Sequence, residues 1–270
     1  MALTFQKNTT DELDVGTGLN SLSETCTWMG WINVTSYPQS DELFVRIASS
    51  RSGSEANRWE IQINHRAGGP APDRILAWNR SYATTNAGLG SVSATIAFGT
   101  WQFFAIVDNG TGNTPQVYVG NLTTLAADVV NSATAPAGAL GAQGSNSTHI
   151  GARPNGGTGT AFSGEVAWFG ICDEALTLNQ IHSIQFHPQN CMNFSCQLNI
   201  HPGLGAAAAS TQPDWSGNSN NGTPTGLVIA PHVPLGLPFP QARQFLVPSA
   251  AAATVKPWWY YQQQHTYLAG

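Results

Sequence analysis

Between residues 58 and 64, polar and apolar side chains alternate. In a strand, Ile61 and Ile63 would face one way, and carboxylate, amide and guanidinium groups would face the other. Such groups hydrogen-bond to sugar hydroxyls, and aromatic rings pack on the C–H patches of sugars. Trp78 and Tyr82 follow this segment in the chain, and the alternative for them is ordinary packing in a core. The candidate carbohydrate-binding set is Arg58, Glu60, Gln62, Asn64, Trp78, Arg80 and Tyr82.

The same stretch argues against catalysis. Retaining glycoside hydrolysis needs two carboxyl groups about 5–5.5 Å apart. Glu60 is followed at alternate positions by the amides Gln62 and Asn64, which cannot supply the second carboxyl group. We therefore predict that the chain is not an enzyme.

A second group of reactive side chains lies further along the chain. Two cysteines and two histidines within fifteen residues could bind zinc tetrahedrally, although their spacing matches no zinc-finger pattern. A Cys191–Cys196 disulfide and a pair of free thiols are the alternatives. Cys26 and Cys172 lie in apolar runs and are predicted to be buried, inert thiols. The candidate metal ligands are His187, Cys191, Cys196 and His201.

The C-terminal segment is rich in proline, alanine and aromatic residues. Its prolines exclude a helix or a central strand, so we predict an extended arm over 231–270. Such an apolar arm lies either on its own protein or on a partner, where aromatic side chains act as anchors. The candidate partner-binding residues are Pro238, Phe239, Trp258, Trp259, Tyr260 and Tyr261.

The composition restricts the function further. Charged residues make up 9% of the chain, and the formal net charge is −5. Without a basic cluster, the chain lacks the phosphate contacts that nucleic-acid binding needs. No apolar run is long enough to span a bilayer, and we expect no ordinary secretory signal at the start. Partners are therefore predicted to be proteins or glycans.

The remaining pattern is one of short strands separated by turns. A hairpin is predicted at Asp108-Asn109-Gly110, and a short helix over 175–184, capped by Thr177. The sequence predicts an all-β fold, a two-sheet antiparallel jelly-roll sandwich over 1–186, then a Cys/His-containing connector with a small β segment over 187–230. The predicted strands are 27–34, 43–48, 58–64, 101–107, 116–120, 148–152 and 164–171.

The order of these strands resembles a known family. The segments that carry the resemblance are 3–5, 13–15, 27–31, 99–105, the turn at 108–110, 162–166 and 176–181. Together they resemble laminin-G/concanavalin-A-like lectin domains over residues 1–186. This resemblance implies glycan binding and a calcium ion, for which the loop aspartates would be Asp41, Asp108 and Asp173. Glucanases of the same fold carry Glu-x-Asp-x-Glu, and only Glu60 matches that motif here.

A second resemblance concerns residues 214–223 and 231–236. These segments resemble the C-terminal part of such proteins encoded among phage and prophage structural genes. The resemblance implies a non-enzymatic virion structural protein, either a capsid decoration (cement) protein or a fibre/adhesin subunit, that forms homo-oligomers and contacts other virion proteins. A free carbohydrate-binding lectin is the alternative, and a glycoside hydrolase is a more distant one.

Overall fold

The computed structural model describes residues 2–6, 10–36, 44–50, 59–64, 75–90, 96–129, 132–141, 146–152, 162–203, 207–231 and 233. Within these ranges the chain is nearly all β. The strands are β1 (Ala2–Phe5), β2 (Glu12–Asp14), β3 (Thr25–Val34), β4 (Phe44–Ser49), β5 (Trp59–Asn64), β6 (Ile75–Arg80), β7 (Ala87–Gly90), β8 (Trp101–Asn109), β9 (Gln116–Asn121), β10 (Ala127–Asp128), β11 (Ser132–Thr134), β12 (His149–Ile150), β13 (Gly164–Cys172), β14 (Cys196–Ile200), β15 (Thr223–Thr225) and β16 (Val228–Ala230). The helices are the 3-10 helix η1 (Gly18–Ser21), the α-helix α1 (Leu178–Phe186) and the 3-10 helix η2 (Pro188–Asn193).

The strands form two antiparallel sheets. Sheet 1 has the order β10-β9-β8-β3-β13-β1-β16, and β14 also pairs with β13. β1 pairs with the first part of β13, and β14 pairs with the last part of β13. β1 and β14 therefore lie one after the other along the same side of β13. Sheet 2 has the order β11-β7-β6-β5-β4-β12-β2-β15. This arrangement confirms the predicted two-sheet jelly-roll sandwich.

The main core lies between the two sheets. Alternate residues of β3 enter it from sheet 1, among them Trp28 and Ile32, and Trp59, Ile61 and Ile63 of β5 enter it from sheet 2. The period-two pattern of β5 therefore predicted its apolar face correctly. Burying one face of each sheet against the other is the usual way in which a sandwich removes apolar surface from water.

A second core covers the outward face of sheet 1. The residues of β3 that point away from the main core, Met29 and Trp31, pack there with Trp168. Helix α1 lies over them and contributes Ile181 and Ile184. The central strands of sheet 1 are therefore buried on both faces, which explains why their sequences are almost continuously apolar.

Two sequence-based expectations differ from the structure. The segment predicted as a connector with a small β segment over 187–230 adds three strands to the sheets: β14 and β16 pair with β13 and β1 in sheet 1, and β15 pairs with β2 in sheet 2. Residues Met1–Gly236 form one compact unit, so no boundary falls at residue 187. Of the arm predicted over 231–270, Val233 packs in a core, and residue 232 and the residues from 234 onward lie outside the described ones. None of the described helices has the length and apolar character to cross a membrane.

Candidate functional site

A row of polar residues crosses the outward face of sheet 2. In-register pairing aligns one residue from each of the strands β15, β2, β12, β4, β5 and β6. Cross-strand partners share a face of a sheet. Their neighbours Leu13, Ile61 and Ile150 lie in the main core, so the aligned residues point away from it. We call this set the polar row: Thr223, Asp14, His149, Ser49, Glu60 and Asn79.

One end of the polar row reaches solvent. The Nδ1 atom of His149 lies 2.8 Å from Oε2 of Glu12, and its Nε2 atom lies 3.8 Å from Oδ1 of Asp14. The side chains of Glu12 and Asp14 are 28% and 39% exposed. Thr225 and Thr223 pair with Glu12 and Asp14 on the neighbouring strand, and both are exposed. We call these five residues the exposed end of the row: Asp14, Thr223 and the largely buried His149 belong to the row, and Glu12 and Thr225 lie beside it.

The middle of the polar row is buried. Nε of Arg46 lies 2.6 Å from Oε2 of Glu60, and the two side chains are only 3% and 2% exposed. Ser49, which pairs with Glu60 across the strands, is fully buried. This part of the row holds the sheet together through an ion pair and offers no free carboxylate to a ligand.

The predicted carbohydrate-binding set does not form one surface. Glu60 and Gln62 point outward from sheet 2, whereas Trp78 and Arg80 pair with Ile61 and Trp59 and point into the main core. Trp78 and Arg80 are each 1% exposed. The single binding face expected from the sequence is therefore corrected, because its members lie on opposite faces of the sheet.

The other three members of the predicted carbohydrate-binding set are Tyr82, Asn64 and Arg58. Tyr82 is buried near the end of β6 and packs in the main core. Asn64 is described only as the last residue of β5. Arg58 lies outside the described residues.

Arg80 is the centre of a buried hydrogen-bond network. Its Nη1 atom donates to Oδ2 of Asp108 at 3.2 Å, and its Nη2 atom donates to the carbonyl of Ser23 at 2.7 Å. The guanidinium carbon also lies 5.3 Å from the centre of the Trp28 ring. The Tyr82 hydroxyl donates to the same carboxylate oxygen at 2.8 Å.

Burial controls the protonation of this network. Desolvation raises the pKa of Asp108, and the nearby Arg80 charge and the hydrogen bond from Tyr82 oppose that shift. Desolvation, together with the Asp108 charge, raises the pKa of Tyr82. Tyr82 therefore stays a neutral hydrogen-bond donor, and the network is a structural one.

The predicted calcium ligands are engaged elsewhere or not described. Asp108 accepts hydrogen bonds from Arg80 and Tyr82. Asp173 accepts one from the backbone N–H of Ser23 at 2.6 Å. Asp41 lies outside the described residues. The two described aspartates are thus explained by protein partners.

The predicted Cys/His metal set is replaced by a different cluster. Sγ of Cys191 lies 3.0 Å from Sγ of Cys196, as the zinc hypothesis required, but also 3.3 Å from Sγ of Cys172. His187 is exposed and follows the end of α1, and the ring of His201 packs near Trp168.

Sequence reasoning missed the third cysteine of the cluster. It did predict that Cys172 is buried, but residues 172 and 196 meet only because β13 pairs with β14. The four cysteines are free thiols.

The fold defines the class of protein to which the chain is similar: jelly-roll domains of the lectin-like type. Among solved structures, a provisionally named carbohydrate-binding protein from Bacteroides ovatus matches with a TM-score of 0.58 and 18% identity. The match covers 86% of this chain and 61% of that one, so the chain spans less than two thirds of that relative's length.

Two further structures are similar over a smaller part of the chain. A heptameric SAP-like pentraxin from Limulus polyphemus has a TM-score of 0.47 and 17% identity, and the match covers 68% of this chain and 80% of that one. Tailspike protein 2 of an Escherichia coli O157:H7 bacteriophage has a TM-score of 0.46 and 19% identity, with 66% and 23% covered. A scan of protein-family models found no match, and neither did a search of curated proteins. At these identities the comparisons establish the fold alone.

Proposed function

We propose that the chain is a non-enzymatic glycan-binding protein that uses the exposed end of the polar row, and that it forms the lectin-like body of a phage virion structural protein. The observation that carries the first part is the exposed end itself. Two partly exposed carboxylates and two exposed threonines lie together on the outward side of a sheet, beside the largely buried imidazole of His149.

The chemistry of the exposed end suits a hydroxyl-rich ligand. Carboxylates accept hydrogen bonds from hydroxyls, and hydrogen bonds to charged groups contribute more than neutral ones. His149 is held by Glu12, so its ring is already positioned and loses little freedom on binding. In sheet 1, by contrast, the corresponding outward face is occupied by the second core.

Glycan-array binding tests this assignment. Asp14→Asn removes an exposed charged acceptor, and we expect glycan affinity to fall by about tenfold or more, as the loss of a charged hydrogen bond implies. Asp128→Asn is the matched control, because Asp128 is an exposed carboxylate at the far edge of sheet 1. Equal binding by wild type and Asp14→Asn would refute the proposed site.

We propose that binding is not followed by cleavage. Glu60, the one residue that matches the glucanase motif, is buried in its ion pair with Arg46. Because Glu12 and Asp14 put two carboxylates on one strand face, the proposal needs a direct test. Incubation with a bound glycan should release no reducing ends, and EDTA should leave the binding unchanged. Release of reducing ends that Glu12→Gln abolishes would make the chain a hydrolase.

The virion role is the finer part of the proposal. It is supported by the resemblance of residues 214–223 and 231–236 to phage structural proteins. Its two forms are a capsid decoration protein and a fibre/adhesin subunit, each in contact with other virion proteins. Electron microscopy with an antibody against residues 1–186 should label particles regularly. Label found only on free protein would favour the alternative, a free lectin.

Deletion of residues 237–270 separates these two functions further. A decoration protein that is anchored by its arm would lose attachment to particles while it keeps its glycan affinity. Unchanged attachment would show that the arm residues, including Trp258 and Tyr261, are not the anchor.

A further inference from the structure

Three cysteine side chains from three different elements meet in the second core. Cys172 is the last residue of β13, Cys196 is the first residue of β14, and Cys191 belongs to η2 between them. The Cys191 sulfur lies 3.3 Å from that of Cys172 and 3.0 Å from that of Cys196. All three sulfur atoms lie within 4.8 Å of one another. We call this set the thiol cluster.

The local structure fixes the position of each sulfur. Cys172 and Cys196 are cross-strand partners, next to a register shift in the β13–β14 pairing. η2 starts with Pro188, and it ends where the N–H of Phe194 donates to the carbonyl of Cys191 at 3.1 Å. The cluster is thus held by a sheet and a capped turn, so the three sulfurs are brought together before any ligand arrives.

The environment of the thiol cluster is dry. Cys172 and Cys191 are fully buried, and Cys196 is 8% exposed. Their neighbours in the second core are apolar residues such as Leu176 and Ile181. Within the described residues, the potential metal ligands that meet here within 4.8 Å of one another are the three sulfur atoms. Clustered thiolates select soft metal ions, chiefly zinc and Cu(I), over Mg²⁺ or Ca²⁺.

The thiolate is the form of cysteine that binds a metal ion. A metal ion would replace the thiol protons of the three cysteines as it binds, releasing them to solvent. Each proton lost is balanced by one sulfur–metal bond.

We propose that Cys172, Cys191 and Cys196 form a three-thiolate site for one thiophilic metal ion. Three donors complete a trigonal Cu(I) site and supply three of the four ligands of a tetrahedral Zn(II) site. The site is remote from the polar row, since it lies on the outward face of sheet 1. It would therefore stabilise the fold and take no part in glycan binding.

The full-length protein, reduced and freed of metal under anaerobic conditions, provides the test. Titration with Zn(II), and separately with Cu(I), should load about one ion per chain, with a rise in the thermal midpoint because only the folded state has the site. Cobalt(II), added in place of the spectroscopically silent Zn(II), reports four-coordinate binding by its absorption, and luminescence reports Cu(I) bound by thiolates. Binding of less than about a tenth of an ion per chain in both titrations would overturn the proposal.

Matched cysteine variants locate the site. Cys191→Ser should abolish uptake because its sulfur touches both of the others. Cys26→Ser is the control, since Cys26 is also buried but contacts Asp173 instead of the cluster. Stoichiometric release of metal from the wild type by a thiol-reactive mercurial keeps the test valid if Cys191→Ser fails to fold. An intact mass two daltons below that of the fully reduced chain, with two cysteines unreactive toward a thiol reagent, would show a disulfide and refute the metal site.

Discussion

Single residues show most clearly where sequence reasoning succeeds and where it stops. The alternation in β5 predicted correctly that Trp59, Ile61 and Ile63 share an apolar face. It could not predict that Arg80 shares that face, because charged residues are rarely buried unless they are paired. The partner that makes burial possible is Asp108, 28 residues away on another sheet. The burial of Arg80 therefore depends on a contact with a residue that is distant in sequence, and the local alternation of polar and apolar residues cannot predict such a contact.

Arg80→Met tests the importance of that contact. The substitution keeps a long side chain but leaves the Asp108 carboxylate buried without its cation, so we expect a loss of about 3–5 kcal/mol in the free energy of unfolding. Urea denaturation measures this loss. The double variant Arg80→Met/Asp108→Asn should recover part of it, because no buried charge remains. A single variant as stable as wild type would contradict the network's structural role.

Glu24 gives the fold a pH dependence that can be isolated. A hydrogen bond from the Thr111 hydroxyl, and then one from the Leu140 backbone, lower the pKa of Glu24 below its ordinary value of 4.5. The folded state thus favours the ionised form. This stabilisation is complete above the ordinary pKa and is lost as the pH falls through the lowered one.

The variant Glu24→Gln should therefore be less stable than wild type near pH 7 and should approach it at acidic pH. The measurement is the difference in unfolding free energy between the two proteins, from urea denaturation at pH 7 to pH 3. Asp128→Asn, at an exposed position on β10, serves as the control for general charge effects. A stability difference that stays constant or grows as the pH falls would contradict the role of Glu24.

At the scale of elements, local signals predicted helix α1 well. Thr177 was expected as its N-cap, and the structure has the helix at Leu178–Phe186 with Oε1 of Gln180 accepting from the Thr177 backbone N–H at 2.7 Å. Ile181 and Ile184 of this helix are buried in the second core. By contrast, the sequence predicted only a small β segment within 187–230. β15 and β16 have three residues each and pair with β2 and β1 near the start of the chain, so nothing local shows which sheet they join.

Strand packing in sheet 1 depends on a close approach at Gly30. Gly30 pairs with Phe104 across β3 and β8, and a Cβ atom at Gly30 would lie 2.8 Å from the Phe104 ring and 3.2 Å from the Trp168 carbonyl oxygen. Gly30→Ala should therefore cost about 1–3 kcal/mol in the free energy of unfolding, the usual cost of overpacking a core.

Gly88→Ala is the matched control for this effect. Gly88 also lies in a strand, but an added Cβ would have the Trp78 carbonyl oxygen as its nearest neighbour, at 3.9 Å. Its unfolding free energy should change by no more than about 0.5 kcal/mol. Equal effects of the two substitutions in urea denaturation would show that the Phe104 contact is not what makes Gly30 necessary.

At the scale of the whole molecule, the described residues form two sheets and two cores, and only the core between the sheets followed from the sequence. Strands spaced along the chain with one apolar face predict a sandwich, whereas the second core requires α1, η2 and β14 to cover sheet 1. Trp31 and Trp168 are fully buried, and both lie in the second core. That arrangement leaves the outward side of sheet 2 as the face where the polar row reaches solvent.

The two cores also determine where the chain can be shortened. Among the described residues, the last member of either core is Val233, which is 1% exposed in the second core. A protein ending at Gly236 keeps every described core residue and the pairing of β16 with β1. We expect its urea midpoint to match that of the full chain. A protein ending at Gly226 loses β16, Ala230 and Val233, exposes β1 as a sheet edge, and should unfold at a clearly lower urea concentration. If the chain ending at Gly236 were destabilised as strongly as the shorter one, residues 237–270 would be part of the folded body, and their assignment as a separate arm would fail.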